Sequence, residues 1–242
     1  MLLNPLHHTI IAIDVARSGP RTDPLLLRMR ADLRQVLEDT LRRQDLDLGR
    51  LTVGDLGDGY RLLLPASISP RAALDPFVAN LATELRLHGQ ASSDANRMRL
   101  RVVIHTGLLH PELDGSWAGG ALKECARLLD APAAREILDA VPAADLVVVV
   151  SHTLYDTVIR HGYTVDPAAF RRIRVQVKET DEDAWAYVPG VGLPPASQDS
   201  PPGKLAREPT PIQSPWSRSE VNIVGDRHIF NGPITGGSSD VR

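Results

Sequence analysis

Residues 54–59 read Gly-Asp-Leu-Gly-Asp-Gly and separate two short apolar runs, Leu51–Val53 and Tyr60–Leu64. Glycine and aspartate at that density favour a turn, because they tolerate positive φ and bond their own backbone. The segment predicts a β-hairpin. The rest of the chain alternates strand-like and helix-like patterns. A hairpin set inside such an alternation does not fit an all-parallel sheet and predicts a mixed one with helices packed on it.

The other elements follow from apolar spacing. Thr9–Ile13 is a short apolar run ending at Asp14, as a buried strand would. Asp23-Pro24 offers an N-cap and a proline at the first helical position, and Leu26, Met29, Leu33, Val36, Leu37 and Leu41 follow at helical spacing. Ser69-Pro70 opens a second helix carrying Leu74, Phe77, Val78, Leu81 and Leu85, with Gly89 as its stop. Pro76 lies inside that pattern and predicts a separate first turn. Arg99–Thr106 alternates into a strand, Ala118–Leu129 reads as a helix, and Leu146–Val150 as a buried strand. Ser151 caps a short helix that stops at Gly162. Arg171–Val177 and Ala184–Val188 form a last hairpin across Glu179–Asp183.

Near Val188 the composition changes. Between Pro189 and Pro215 prolines crowd among Gly, Ser and Gln, a mixture that buries too little apolar surface to offset ordering. The expected division is a domain over residues 1–189, a disordered Pro-rich linker over 190–215 and a tail over 216–242.

Charge and cysteine usage exclude several function classes. Lys plus Arg total 27 against 30 Asp plus Glu, a net charge of −3, so no basic surface for nucleic acid is expected. The one cysteine, Cys125, leaves no disulfide framework and no cysteine-rich zinc module. Leu146–Val150 is the longest apolar run and is too short to span a bilayer. The first residues show no basic n-region or cleavage site, so a soluble, cytoplasmic chain without a membrane partner is expected.

Two aspartates stand out by position. Asp14 ends the first strand, and Asp58 sits at the hairpin tip between Gly57 and Gly59. If the strands are neighbours, the carboxylates converge at one sheet edge. Such a pair beside glycine-lined backbone suits Mg²⁺ or Mn²⁺ carrying a triphosphate, since hard cations take oxygen ligands. The plainer reading is that Asp14 caps a loop and Asp58 makes a turn.

Four segments, Thr9–Gly19, Leu56–Leu64, Arg99–Gly107 and Ala118–Leu129, occur in an order that resembles the class III nucleotide (adenylate/guanylate) cyclase catalytic domain. The resemblance covers about the first 190 residues and is nearest to divergent actinobacterial cyclase-homology proteins. It implies a largely antiparallel sheet with a ferredoxin-like core and flanking helices, α/β in the broad sense and α+β in stricter schemes. It also implies two Mg²⁺ or Mn²⁺ ions held by Asp14, Asp58 and the Val15 carbonyl, a nucleoside triphosphate substrate, and a head-to-tail homodimer that shares each site. The family's Trp-Gly-x-x-Val-Asn-x-Ala-x-Arg pattern lies on Ala118–Arg127, so Arg127 matches the arginine that stabilises the transition state.

Several positions depart from the pattern. Lys123 stands where the family has asparagine, and lysine presents a point charge that accepts no hydrogen bond. The base-selecting positions are Gly54, with Asp55 beside it, and Ser116, which match neither an adenine nor a guanine code. The phosphate-contacting lysine aligns with Thr180, for which Lys178 or Lys123 could substitute, and Arg17 could meet a phosphate from the loop after Asp14.

The remaining polar residues read as structural. Cys125 is expected in the core, His105 packed within its strand, and Ser151-His152 as a helix start. Arg127 could instead pair with Glu124, Asp130 or Glu136. In the tail, Val221–Ile234 is β-prone and resembles C-terminal amyloid-signalling motifs of bacterial and fungal conflict proteins. The alternatives there are a disordered tail or a strand added to a protein partner. Two functions follow: a divergent bacterial cyclase in signalling or antiphage defence, making a 3′,5′-cyclic nucleotide and pyrophosphate, or a degenerate module that binds nucleotide or a partner and signals through its tail. A pure interaction scaffold is a third.

Overall fold

The computed structural model describes residues 4–19, 22–92, 96–178, 180–191 and 193. The expected linker from residue 194 and the tail motif lie outside the described residues. The elements are β1 (Leu6–Val15), α1 (Asp23–Arg42), β2 (Thr52–Asp55), β3 (Gly59–Pro65), α2 (Phe77–Ala91), β4 (Leu100–Pro111), β5 (Trp117–Ala118), α3 (Gly120–Asp130), α4 (Pro132–Ala140), β6 (Leu146–Ser151), α5 (His152–Leu154), β7 (Arg171–Val177) and β8 (Thr180–Tyr187).

The eight strands form one sheet in the order β2-β3-β1-β4-β6-β8-β7, with β5 paired to β4. Every pairing is antiparallel except β4 with β6, which the α3–α4 crossover makes parallel. The fold is the expected mixed α+β class.

Helices cover both faces, and this explains the unbroken apolar runs in the central strands. Ile11, Ile13 and Val15 of β1, with Leu100, Val102 and Ile104 of β4, pack beneath α1 and α2 through Leu33, Leu37, Phe77 and Leu81. Ile10, Ala12, Val103, Val147 and Val149 point the other way, against Cys125 and Leu128 of α3 and Ile137 and Leu138 of α4. At the sheet margin β7 alternates, with Ile173 and Val175 buried and Arg172, Arg174 and Gln176 outside.

Some boundaries differ from the sequence reading. The N-cap of α1 is Thr22, and Asp23 is already helical. The Pro70 segment is a separate 3₁₀ turn, Pro70–Ala73, as Pro76 led one to expect, but α2 continues past Gly89 to Ala91. A helix missing from that reading, α4, starts at Pro132. The last hairpin is tighter than expected, because Val177 already pairs with Thr180. Beyond Ser151, which caps Leu154, the helix passes into a five-residue π turn, Tyr155–Ile159.

Candidate functional site

Two strands deliver Asp14 and Asp58 to the same place. Asp14 stands opposite Gly59 on β3 and opposite Arg101 on β4. Gly59 permits this approach: a Cβ there would sit 1.9 Å from the Ile13 carbonyl oxygen. With the backbones this close, the Val15 N–H donates to the Asp58 carbonyl at 3.3 Å. The hairpin tip is fixed by the Gly57 N–H, which donates to Asp55 Oδ1 at 2.7 Å.

Asp14 is only 8% exposed, and so is Arg101. The guanidinium grips the carboxylate with two bonds, Arg101 Nε to Oδ1 at 2.8 Å and Nη2 to Oδ2. Its third nitrogen, Nη1, is buried and has no hydrogen-bond partner among the described residues. Burial holds the Asp14 carboxyl up at about 6, against the opposing pull of Arg101; Asp58 adds a smaller upward push, and Arg135 of α4 a smaller downward one. The Ser18 hydroxyl donates to Asp58 Oδ2.

The loop from Val15 to Ser18 is anchored on both sides. The Ala16 N–H donates to the Arg99 carbonyl at 2.8 Å. Arg17 adopts φ 57°, and its guanidinium donates to Asp139 of α4 at 2.8 Å, both side chains being exposed. Arg99 ties the end of α4 to the sheet through the carbonyls of Leu138, Val141 and Ala144.

Of the remaining expected site residues, Gly54 and Asp55 stay beside the hairpin tip and the others are elsewhere. Arg127 donates from Nη1 to Thr180 Oγ1 at 2.8 Å, and Lys123 lies exposed one turn earlier on α3. The register Arg101–Val147 and Val148–Tyr187 puts Arg101 level with Val188. Thr180 is therefore eight residues along β8 from that level, roughly 27 Å of strand. Lys178 is in the turn before Thr180, at φ 53°. Ser116 is occupied in the β4–β5 turn, its N–H on Asp114 and its hydroxyl on Glu112. Gly54 faces the Arg61 guanidinium, and Asp55 pairs with Arg30. The chain thus gathers Asp14, Val15, Arg17, Asp55 and Asp58 at one end of the sheet and holds the Arg127 guanidinium at the start of β8.

His105 and Cys125 lie in the core between β4 and α3. Burial pushes the Cys125 thiol up to about 12 and the His105 imidazole down to about 4. His105 Nε2 is 3.5 Å from Glu124 Oε2, whose carboxyl is raised by burial and by Glu182.

Arg101, Arg135 and Ser18 bear on Asp14 or Asp58 and are candidate site residues that the sequence reading missed. Arg101 had a signal. It interrupts a strand whose neighbours are apolar on both faces, where a charge needs a partner. Ser18 and Arg135 carried none.

A divalent ion does not fit this arrangement as it stands. Both Asp14 oxygens are on Arg101, Asp58 takes the Ser18 hydroxyl, and no three His, Cys, Asp or Glu side chains converge on an ion among the described residues. Repulsion between a guanidinium and a divalent ion about 4 Å away would reach about 8 kcal/mol at an effective dielectric of about 20.

No protein-family model matches the chain, and no curated protein matches it. Solved structures do. An adenylate/guanylate cyclase/hydrolase from Silicibacter pomeroyi superposes with a TM-score of 0.56 at 19% identity, over 78% of this chain and 100% of that one. The guanylyl cyclase Cya2 gives 0.54 at 14% identity, over 78% and 93%. The fold is that of nucleotide cyclase catalytic domains. The catalytic core of a rhodopsin-guanylyl cyclase with converted specificity, in complex with ATPαS, gives 0.50 at 13% identity, over 76% and 96%. Among the described residues of this cyclase fold, no helix is long and apolar enough to cross a membrane.

Proposed function

We propose that this cyclase-fold domain is a signalling module that binds a nucleoside triphosphate at the Asp14, Asp58 and Arg101 end of its sheet. The reading rests on Arg101, a buried cation with one nitrogen, Nη1, left without a partner near the anchored loop Val15–Ser18. That nitrogen is closed to solvent, so a phosphate oxygen would accept from it only once the Val15–Ser18 loop opens. The separation of Arg127 from Asp14 supports a site completed by a second copy, whose Arg127 and Lys123 would face the triphosphate. The base remains open, because Gly54 and Ser116 have no purine-specific contact to offer.

Binding without turnover is the reading the arrangement favours, since Asp14 is already neutralised and Lys123 replaces a neutral amide. Thermal unfolding with each ribonucleoside triphosphate tests it. At least one should raise the melting temperature, and Asp58→Asn should change that shift. No shift with any nucleotide overturns the nucleotide reading.

Arg127 supports a second reading, the cyclase reaction itself. There the ribose 3′-oxygen bonds to the α-phosphorus, pyrophosphate leaves, and the 3′-hydroxyl proton passes to solvent. Incubation with all four triphosphates followed by mass spectrometry separates the two readings. We expect no cyclic product from the native chain. A cyclic nucleotide that disappears in Arg127→Ala would establish the enzyme, and activity gained in Lys123→Asn would locate the lesion. The tail motif is proposed as the output. A peptide of residues 216–242 should form thioflavin-positive fibres, and a peptide that stays soluble removes that part.

A further inference from the structure

We propose that the Asp14–Asp58 pair carries its counter-cation within the chain, and that the Arg101 guanidinium occupies the place a metal ion would take. The proposal rests on reading this end of the sheet as the ligand site, and it concerns what that site accepts. Three observations carry it.

The first is geometric. Arg101 and Asp14 face each other across β4 and β1, so the guanidinium is brought to the carboxylate by strand register. It takes one lone pair on each oxygen, so an inner-sphere ligand would have to share Asp14 with a fixed positive charge.

The second is burial. The two side chains are 10% and 12% exposed, so water does little to screen Arg101 from an incoming cation.

The third is charge balance. The charges bearing on Asp14 are Arg101, Asp58 and Arg135. Two carboxylates and two guanidiniums sum to zero before any ion arrives. An ion at Asp14 would need Arg101 displaced on the face it shares with Val103 and Val147, both of which are buried.

Titration with Mn²⁺ alone, followed by the electron paramagnetic resonance signal of the free aquo ion, tests this without any nucleotide. The native chain should leave Mn²⁺ free at concentrations where Arg101→Met binds it about tenfold more tightly or better. The gain should vanish in Arg101→Met combined with Asp58→Asn. Arg101→Gln, which keeps an amide donor for Asp14 without the charge, serves as the second variant and should show the same gain. Native chain that binds Mn²⁺ as tightly as both variants overturns the proposal. A gain that survives the Asp58 change does so too, because the ion would then be elsewhere. Since no nucleotide is present, these outcomes stand apart from the melting shifts that test triphosphate binding.

Discussion

At His105 the protein keeps an ionisable ring in a place where it cannot hold its proton. Burial lowers its pKa from 6.5 to about 4, with a smaller push from His7. The unfolded chain therefore binds a proton below about 6.5 that the folded chain refuses until about 4. The stability this residue contributes is complete above about 6.5 and is lost as pH falls toward 4, by about 3 kcal/mol in all. Chemical denaturation of native protein and His105→Asn at several pH values checks this, and the difference between them should slope only in that window. Residue positions were legible unevenly. Asp14 and Asp58 were readable because strand end and turn tip are positions that sequence patterns mark. Arg101 was harder: alternation along a strand fixes which face a side chain takes but not what stands opposite on the neighbouring strand. That depends on register, which no local pattern encodes.

Among the elements, α3 sits close to the sheet because small residues meet there. A Cβ on Gly107 would lie 2.6 Å from the Ala121 Cβ, and one on Gly119 would lie 2.9 Å from the Leu108 carbonyl oxygen. Gly107→Ala should therefore cost about 1–3 kcal/mol by forcing the helix outward. Adding Ala121→Gly should recover at least about 1 kcal/mol of that, despite glycine's poorer helix propensity. Equilibrium unfolding of the two single variants and the double variant measures the coupling. The long, doubly buried strands were legible from apolar content alone. The fourth helix was not, because Pro132 after Asp130-Ala131 looks like a break when it is in fact the first helical residue, where its missing N–H costs nothing. The reach of β8 was also hidden: its first residues, Thr180-Asp-Glu-Asp, are polar, and Asp181 and Asp183 accept from Arg172, Arg174 and Gln176 on the neighbouring strand.

For the whole molecule, the distance between Asp14 and the Arg127 anchor makes complementation the informative experiment. If a second copy completes the site, as proposed, Asp58→Asn and Arg127→Ala each damage a different half of it. Mixing the two variants should restore one intact site per mixed pair, read as a nucleotide-induced melting shift larger than either variant gives alone. Equal shifts before and after mixing would mean that one copy holds the whole site.

The two outer strands of the sheet have a further consequence. On one side β2 is only four residues long, and on the other β7 carries Arg172 and Arg174 locked to Asp181 and Asp183. Short or charge-studded margins offer a poor template for an extra strand from another chain. The folded domain is thus built to stay out of polymers at high local concentration. If the full chain forms filaments, a version ending at residue 193 should remain dispersed under the same conditions, as light scattering would register. A domain with such inert borders can be brought to high local concentration without adding strands to its neighbours' sheets.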